Sequence, residues 1–306
     1  MRPTTSDVAE ILAQYPAPFH KTFGRADASS GFRGTITSAD AVHLAQQLGV
    51  TVDQLMLNLV PLAALYAEPV ISNFKVGSVA QGMSGNLYYG ANIEFKSEAL
   101  SFTVHAEQAA VMNAWMQEET GVAALAVSAA PCGYCRQFLF ELASAAALKI
   151  LHANMKPASL AGLLPDAFGP RNLGLNGGLM RPENHQLTVE SQDPLVRAAL
   201  AAANMSYAPY SRGYAGVALA TAEGGIHTGA YAENAAFNPG MSPMEAAVSQ
   251  LNIGGGNVRH IRRAVLVEVE NSASSQVHSA AAVLSSISNV GLEVCYAAAA
   301  SRGALK

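Results

Sequence analysis

His105 and Glu107 stand two residues apart, and Cys132 and Cys135 three apart, in a chain of 306 residues. One imidazole and two thiols make a donor set for a borderline-soft metal such as zinc. A zinc that only holds structure is normally closed by four protein ligands, whereas a catalytic zinc takes three and leaves a position for water. That water reaches a pKa of about 7, so a nucleophile exists at neutral pH. A carboxylate two residues from the imidazole is placed to move its protons. The third and last cysteine, Cys295, lies far downstream and gives no ready fourth ligand. The competing readings are a structural zinc, or a buried thiol pair beside a core histidine.

These side chains need elements to hold them. Periodicity predicts a helix from about His105 to Gln117, a strand near 125–130 and a second helix starting at Gly133. Cys132 and Cys135 then sit where a strand gives way to a helix, and free N–H groups and the helix dipole there favour thiolates. Glu107 falls in the first turn of the other helix. Strands are expected near 75–80, 87–93 and 148–152, and Thr51 is expected to cap a helix carrying Leu55, Leu59 and Leu62. Upstream, residues 1–49 read as a small helical segment. Val8, Ile11 and Leu12 share one face there, and Ser38 caps a helix stopped by Gly49. Residues 156–190 are rich in Gly, Pro and Asn and read as an ordered linker, because Leu163, Leu164 and Phe168 need somewhere to pack.

The chain also repeats itself. Gly77 and Gly90 are spaced like Gly216 and Gly229, and Gly90-Ala91-Asn92-Ile93-Glu94 aligns with Gly229-Ala230-Tyr231-Ala232-Glu233. Glu107, Ala109, Ala110 and Val111 match Glu245, Ala246, Ala247 and Val248 after a one-residue shift, and Ala126-Val127 matches Ala264-Val265. On that alignment Pro243, Glu270 and Ala273 replace His105, Cys132 and Cys135, so the second copy lacks the metal set. The expected organisation is a helical segment at 1–49, a zinc-bearing domain at 50–155, a linker at 156–190 and a zinc-less copy at 191–306.

Composition narrows the partners. Half the residues are hydrophobic, 13% are charged, and the net charge is −4. Low charge with many small apolar residues suits broad buried faces. No basic stripe follows a phosphate backbone, which argues against nucleic acid as partner. The N-terminus has no apolar secretory core, and the run at 55–67, broken by Asn58 and Pro61, is too short to span a bilayer. A C-x-x-C pair without a disulfide framework fits a reducing compartment. A soluble, cytoplasmic protein with a small-molecule substrate is expected.

H-x-E followed by P-C-x-x-C is the signature of zinc deaminases that act on nucleobases. The likeness extends well beyond it. Ser72-Asn73-Phe74-Lys75-Val76-Gly77, Tyr89-Gly90-Ala91-Asn92-Ile93-Glu94-Phe95, Val104-His105-Ala106-Glu107-Gln108 and Pro131-Cys132-Gly133-Tyr134-Cys135-Arg136-Gln137-Phe138 all match. So do Pro165-Asp166-Ala167-Phe168-Gly169-Pro170 and Ala232-Glu233-Asn234-Ala235-Ala236-Phe237-Asn238-Pro239. On these blocks the chain resembles the long, two-domain, homodimeric bacterial cytidine deaminases. The resemblance implies a duplicated three-layer α/β/α sandwich and one zinc per chain on His105, Cys132 and Cys135. It implies Glu107 as proton shuttle and hydrolysis of cytidine and 2′-deoxycytidine in pyrimidine salvage. It further implies that Asn92 and Glu94 hold the ribose 3′-hydroxyl, Phe74 packs on the base and the Ala106 N–H recognises it. Phe168 is expected to cross towards the partner's site.

Residue chemistry bears on each of these. Asn92 and Glu94, at i and i+2 of a strand, face one side, although such a pair taken alone is more often a solvated edge. Phe168 is equally a loop aromatic covering its own core. Arg136 either donates to a cysteine sulfur or lies exposed. Trp115 and Met116 are expected to pack, and Cys295 reads as a buried small hydrophobe. The remaining histidines have no ligand spacing to one another. Two other functions stay open, a zinc-stabilised nucleoside-binding protein without turnover and a deaminase of another aminated base.

Overall fold

The computed structural model describes residues 10, 11, 13, 34–153 and 155–299. Of the helix expected through Val8, Ile11 and Leu12, Val8 and Leu12 lie outside the described residues, while Ile11 is helical and packs, partly buried, against the hydrophobic core. The chain forms two compact units. One comprises Met1–Arg181 with Asn234–Pro239 and Ser249–Asn257; the other comprises Pro182–Glu233, Gly240–Val248 and Val258–Lys306.

The first unit runs β1 (Thr35–Ile36), α1 (Ser38–Leu48), α2 (Val52–Ala64), β2 (Gly77–Gly82), β3 (Leu87–Ala91), α3 (Ala106–Met116) and β4 (Val122–Val127). It continues with α4 (Gly133–Phe140), β5 (Lys149–His152), β6 (Ala158–Ser159) and α5 (Leu160–Leu163). Its six strands lie in the order β1-β3-β2-β4-β5-β6, with β4 and β5 parallel and the other pairs antiparallel. Helix starts follow side-chain chemistry. The Thr51 hydroxyl accepts from Gln54 N and caps α2. α1 is capped by Thr37, which accepts from Asp40 N, one residue earlier than expected, and it ends at Gly49 with φ +65°.

Two glycines show how the layers form. The β2–β3 register pairs Ser78 with Gly90, so Gly77 faces the opposite side of the sheet from Gly90. A Cβ on Gly77 would lie 2.4 Å from Val60 O in α2, and one on Gly90 would lie 2.3 Å from Ala106 O in α3. α2 and α3 therefore press backbone to backbone on opposite faces, which only glycine allows. This is a three-layer α/β/α unit. Leu55, Met56 and Leu59 of α2 bury fully against the sheet.

The second unit runs α6 (Pro194–Met205), β7 (Ala215–Thr221), β8 (Ile226–Ala230), α7 (Pro243–Ile253, whose residues from Ser249 onward belong to the first unit), β9 (Ile261–Val269), α8 (Val277–Ile287) and β10 (Leu292–Ala297). The strand order is β10-β9-β7-β8. The glycine device recurs: a Cβ on Gly216 would meet Ala203 N of α6 at 2.3 Å, and one on Gly229 would meet Pro243 O of α7 at 2.3 Å. Even the bulge between Gln81 and Gly82 recurs, between Ala220 and Thr221.

Strand pairing corrects the repeat by one residue. Val79 pairs with Ala126, and Ala218 pairs with Val265, so Ala126 answers to Val265 rather than to Ala264. The linker is ordered, but not as its apolar residues suggested. Leu160 buries, Leu163 and Leu164 are half-buried, and Phe168 is exposed. Among the described residues no helix is long and apolar enough to cross a membrane.

Candidate metal centre and substrate site

His105 is the N-cap residue of α3 and Cys132 that of α4, so two helix N-termini converge on one point. The ligand atoms of His105, Cys132 and Cys135 all lie within 4.8 Å of one another, and among the described residues this is the one such group. His105 Nδ1 is 3.6 Å from Cys132 Sγ. Zn–N of about 2.0 Å and Zn–S of about 2.3 Å at a tetrahedral angle require an edge of about 3.6 Å, so the residues fit zinc. Tyr134 stacks on the His105 ring at 5.2 Å, and the His105 N–H donates to Gln108 Oε1 at 3.2 Å.

The metal-free electrostatics show how closely these groups are coupled. A hydrogen bond from the Cys135 side chain, with another from His105, pulls the Cys132 thiol down to about 3. The same pairing with Cys132, joined by burial, pushes the Cys135 thiol up. The Cys132 thiolate in turn raises His105. Glu107 is buried, at 4% exposure, and burial raises its carboxyl above the usual range. Its carboxylate reaches the Cys135 thiol. Ala106, also buried, opens α3, where first-turn N–H groups have no intrahelical acceptor.

Phe74 sits on a tied turn. Glu94 accepts from Ile71 N at 2.6 Å, from Ser72 N at 2.8 Å and from the Ser72 hydroxyl. Burial opposes the charge on Glu94, yet these three donors hold its carboxyl below the usual range. Asn92, which is buried, ties the next stretch: its Nδ2 donates to Phe74 O, and its Oδ1 accepts from Val76 N, both at 2.9 Å. The Phe74 ring is left 61% exposed. Asn92 and Glu94 thus hold the turn first; beyond those bonds Glu94 has one further acceptor position, and Asn92 one N–H and one lone pair.

Other expectations shift. Arg136 donates to Pro131 O and to Leu163 O, each at 2.8 Å, so it clasps backbone rather than sulfur and is not a free surface group. Phe168 accepts at its carbonyl from Gln137 Nε2, and its ring is 45% exposed rather than covering a core. Trp115 is buried as expected, and Cys295 is only half-buried. Sequence reasoning matched Asn234–Pro239 only as a family block and gave it no place at the site. In the structure, Pro239 O accepts from Gln108 Nε2, Asn238 O from the Tyr134 hydroxyl, and Asn234 bonds Gln137 in both directions. Gln108 and Tyr134 are the very residues that brace His105. The signal available in the sequence was Asn-x-x-x-Asn-Pro in an otherwise apolar region.

The repeat places the same positions in the second unit. Ile93 bridges Val104 as Ala232 bridges Met241, so Ser242 stands for His105, Pro243 for Ala106 and Met244 for Glu107. Glu245 then matches Gln108, and the bonds agree, because Ser242 N donates to Glu245 Oε2 as His105 N donates to Gln108 Oε1. Counting on from Val265, Asn271 and Ser274 occupy the cysteine positions. Gly213 replaces Phe74, and Tyr231 replaces Asn92. The second copy has no carboxylate at the Glu107 position and none of the three metal-ligating side chains, a difference that the one-residue slip in the sequence alignment concealed.

Comparison with known proteins agrees with this geometry. The model of the "cytidine and deoxycytidylate deaminase zinc-binding region" matches residues 50–150, and a second model of the same description matches residues 160–281. A cytidine deaminase of Yersinia pestis (strain Pestoides F) is 44% identical over 275 residues, 90% of this chain and 94% of the relative. One from Cronobacter sakazakii is 42% identical over 283 residues, 92% and 96% of the two chains. A crystal structure of cytidine deaminase from Mycobacterium tuberculosis is 34% identical, covers 38% of this chain and 96% of that one, and has a TM-score of 0.35. With two zinc-binding regions matched and near-full-length relatives above 40% identity, the chain belongs to the cytidine and deoxycytidylate deaminase family.

Proposed function

We propose that this protein is a zinc-dependent hydrolase that converts cytidine and 2′-deoxycytidine to uridine and 2′-deoxyuridine with release of ammonia. The observation that carries this reading is a buried carboxylate, Glu107, beside a three-ligand set whose His105–Cys132 edge of 3.6 Å suits tetrahedral zinc. His105, Cys132 and Cys135 hold one zinc, which when bound supplies Lewis-acid activation of water near neutral pH. Glu107 takes a proton from the attacking water and passes it to the ring nitrogen beside the amino-bearing carbon; it then takes the proton of the hydroxyl so added to that carbon and delivers it to the amine, which leaves as ammonia while the carbon–oxygen bond becomes the carbonyl of uridine.

Ala106 N–H addresses the base, Phe74 packs on it, and Asn92 and Glu94 direct their remaining hydrogen-bonding positions to the ribose 3′-hydroxyl. Residues 50–155 carry the catalytic groups, within a unit that also takes in Asn234–Pro239 and Ser249–Asn257. Residues 191–306, behind the linker, form its zinc-less copy. A cytoplasmic homodimer serving pyrimidine salvage, with the exposed Phe168 reaching the partner's site, completes the reading.

The test is direct. Zinc-loaded protein is offered cytidine, 2′-deoxycytidine, cytosine and adenosine, with ultraviolet absorbance and ammonia as readouts. Turnover of the two cytidines, abolished by chelator, is expected. A zinc-loaded protein that binds uridine but releases no ammonia would overturn the assignment in favour of a nucleoside-binding protein. Phe168→Ala should raise KM or lower kcat; unchanged kinetics in a well-folded dimer would remove Phe168 from the site.

A further inference from the structure

We infer that Ser72 is a positioning residue for the deaminase reaction, whose hydroxyl couples the carboxylate at the sugar to the ring at the base. The inference rests on the assignment of Phe74 and Glu94 to the nucleoside. Ser72 Oγ donates to Glu94 Oε1 and accepts from Phe74 N at 3.0 Å. The Phe74 carbonyl is held on its other side by Asn92. Both backbone polar groups of Phe74 are therefore fixed, and the exposed ring gets its orientation from the turn rather than from packing around it. Asn73, between Ser72 and Phe74, has φ +57°, in the left-handed region. Such a conformation persists when surrounding bonds determine it.

The second unit carries the same turn with the nucleoside groups removed. Ser211 Oγ donates to Glu233 Oε1 and accepts from Gly213 N at 2.9 Å. Glu233 Oε2 accepts from Tyr210 N at 2.8 Å and from Ser211 N at 3.2 Å. Arg212, in the place of Asn73, has φ +58°. The serine–glutamate turn thus forms where no ring is presented and no metal ligands stand. Its function is to build the loop, and the first unit uses that loop to aim Phe74. Removing the Ser72 hydroxyl therefore acts on the base through Phe74, and not only on the sugar through Glu94.

A double-mutant cycle reads this coupling. In Ser72→Ala, KM for cytidine should rise about tenfold, as expected for a lost hydrogen bond to a charged group. kcat should stay within about twofold and zinc content should not change, while Ser72→Thr restores KM. In the Phe74→Ala background, Ser72→Ala should raise KM by less than about twofold, because the ring it aims is gone. An equal rise in both backgrounds, or a rise confined to substrates bearing a 3′-hydroxyl when cytidine is compared with 3′-deoxycytidine, would overturn the inference. So would an unchanged KM in the single variant. If the wild-type protein leaves cytidine untouched, the deaminase reading is what fails. Equilibrium binding of uridine to the same four proteins then reads the same cycle.

Discussion

The two repeats share a scaffold and differ in what it presents. Both press two helices onto one sheet through paired glycines, both carry a bulge at the same place in the central strand, and both fold a serine–glutamate turn. Where the first has His105, Glu107 and Phe74, the second has Ser242, Met244 and Gly213. The difference teaches that loop geometry and helix docking come before chemistry in this fold. They survive intact in a copy that can bind neither zinc nor a base by the same means.

The largest effect that separates the repeats should come from Glu107. Glu107→Ala should keep about one zinc per chain by atomic absorption yet lose roughly 10²–10⁴-fold in kcat. A variant that stays active would break the proposed proton path. Met244, its structural counterpart, should tolerate leucine with little change in turnover.

Next comes the metal. Cys135→Ala should abolish zinc retention and turnover together, because two remaining ligands do not hold a zinc site closed. Ser274→Ala should leave zinc content unchanged. Loss of zinc on changing Ser274 would show that the second copy is not empty after all.

A smaller effect tests what the repeats have in common. Gly77→Ala and Gly216→Ala each set a methyl against helix backbone at 2.4 and 2.3 Å. Each should cost about 1–3 kcal/mol of stability in denaturant titration. A neutral result at either position would mean that its helix can lift off the sheet without penalty.

The smallest effect is pH-dependent. Burial pushes Glu245 up to about 7. The folded state therefore holds its proton more tightly than the unfolded state, whose carboxyl titrates near 4.5. The stabilising contribution is complete at acid pH and falls as pH rises through about 7. Glu245→Gln copies the amide of Gln108 and removes that loss. Its melting temperature should exceed wild type by about 4 °C at pH 8 and approach it below pH 5. A pH-independent difference would place the ionisation elsewhere.

Much of this was legible in the sequence. The grouping of His105, Cys132 and Cys135 with a carboxylate beside them, the caps at Thr51 and Gly49 and the helix start at Gly133 all follow from local chemistry, which residue type and spacing report directly. The exact repeat register did not follow, because Glu-Ala-Ala-Val in the second copy imitates Glu-x-Ala-Ala-Val in the first. Glu245 is a helix-capping group bonded to Ser242, whereas Glu107 lies beside the metal-ligating cysteines, and only these partners tell the two apart. The bracing of the site by Asn234–Pro239 was equally hidden, since hydrogen bonds across a hundred residues leave no periodic trace. Arg136 was misjudged for a related reason: the backbone carbonyls that it clasps, Pro131 O and Leu163 O, carry no sequence signal.

The catalytic unit is discontinuous along the chain, and that bears on how such a protein can change. Ala235 N donates to Glu141, which is fully buried, at 2.8 Å, and Asn252 Nδ2 donates to Tyr66 O at 2.6 Å. A chain ended after Arg181 would leave a buried carboxylate without one of its donors and the braces of His105 without their acceptors. No single cut releases a whole catalytic unit. Once the second copy had lent these residues, it could shed its own chemistry but could no longer be deleted. The silent repeat is retained as an inseparable part of the active one.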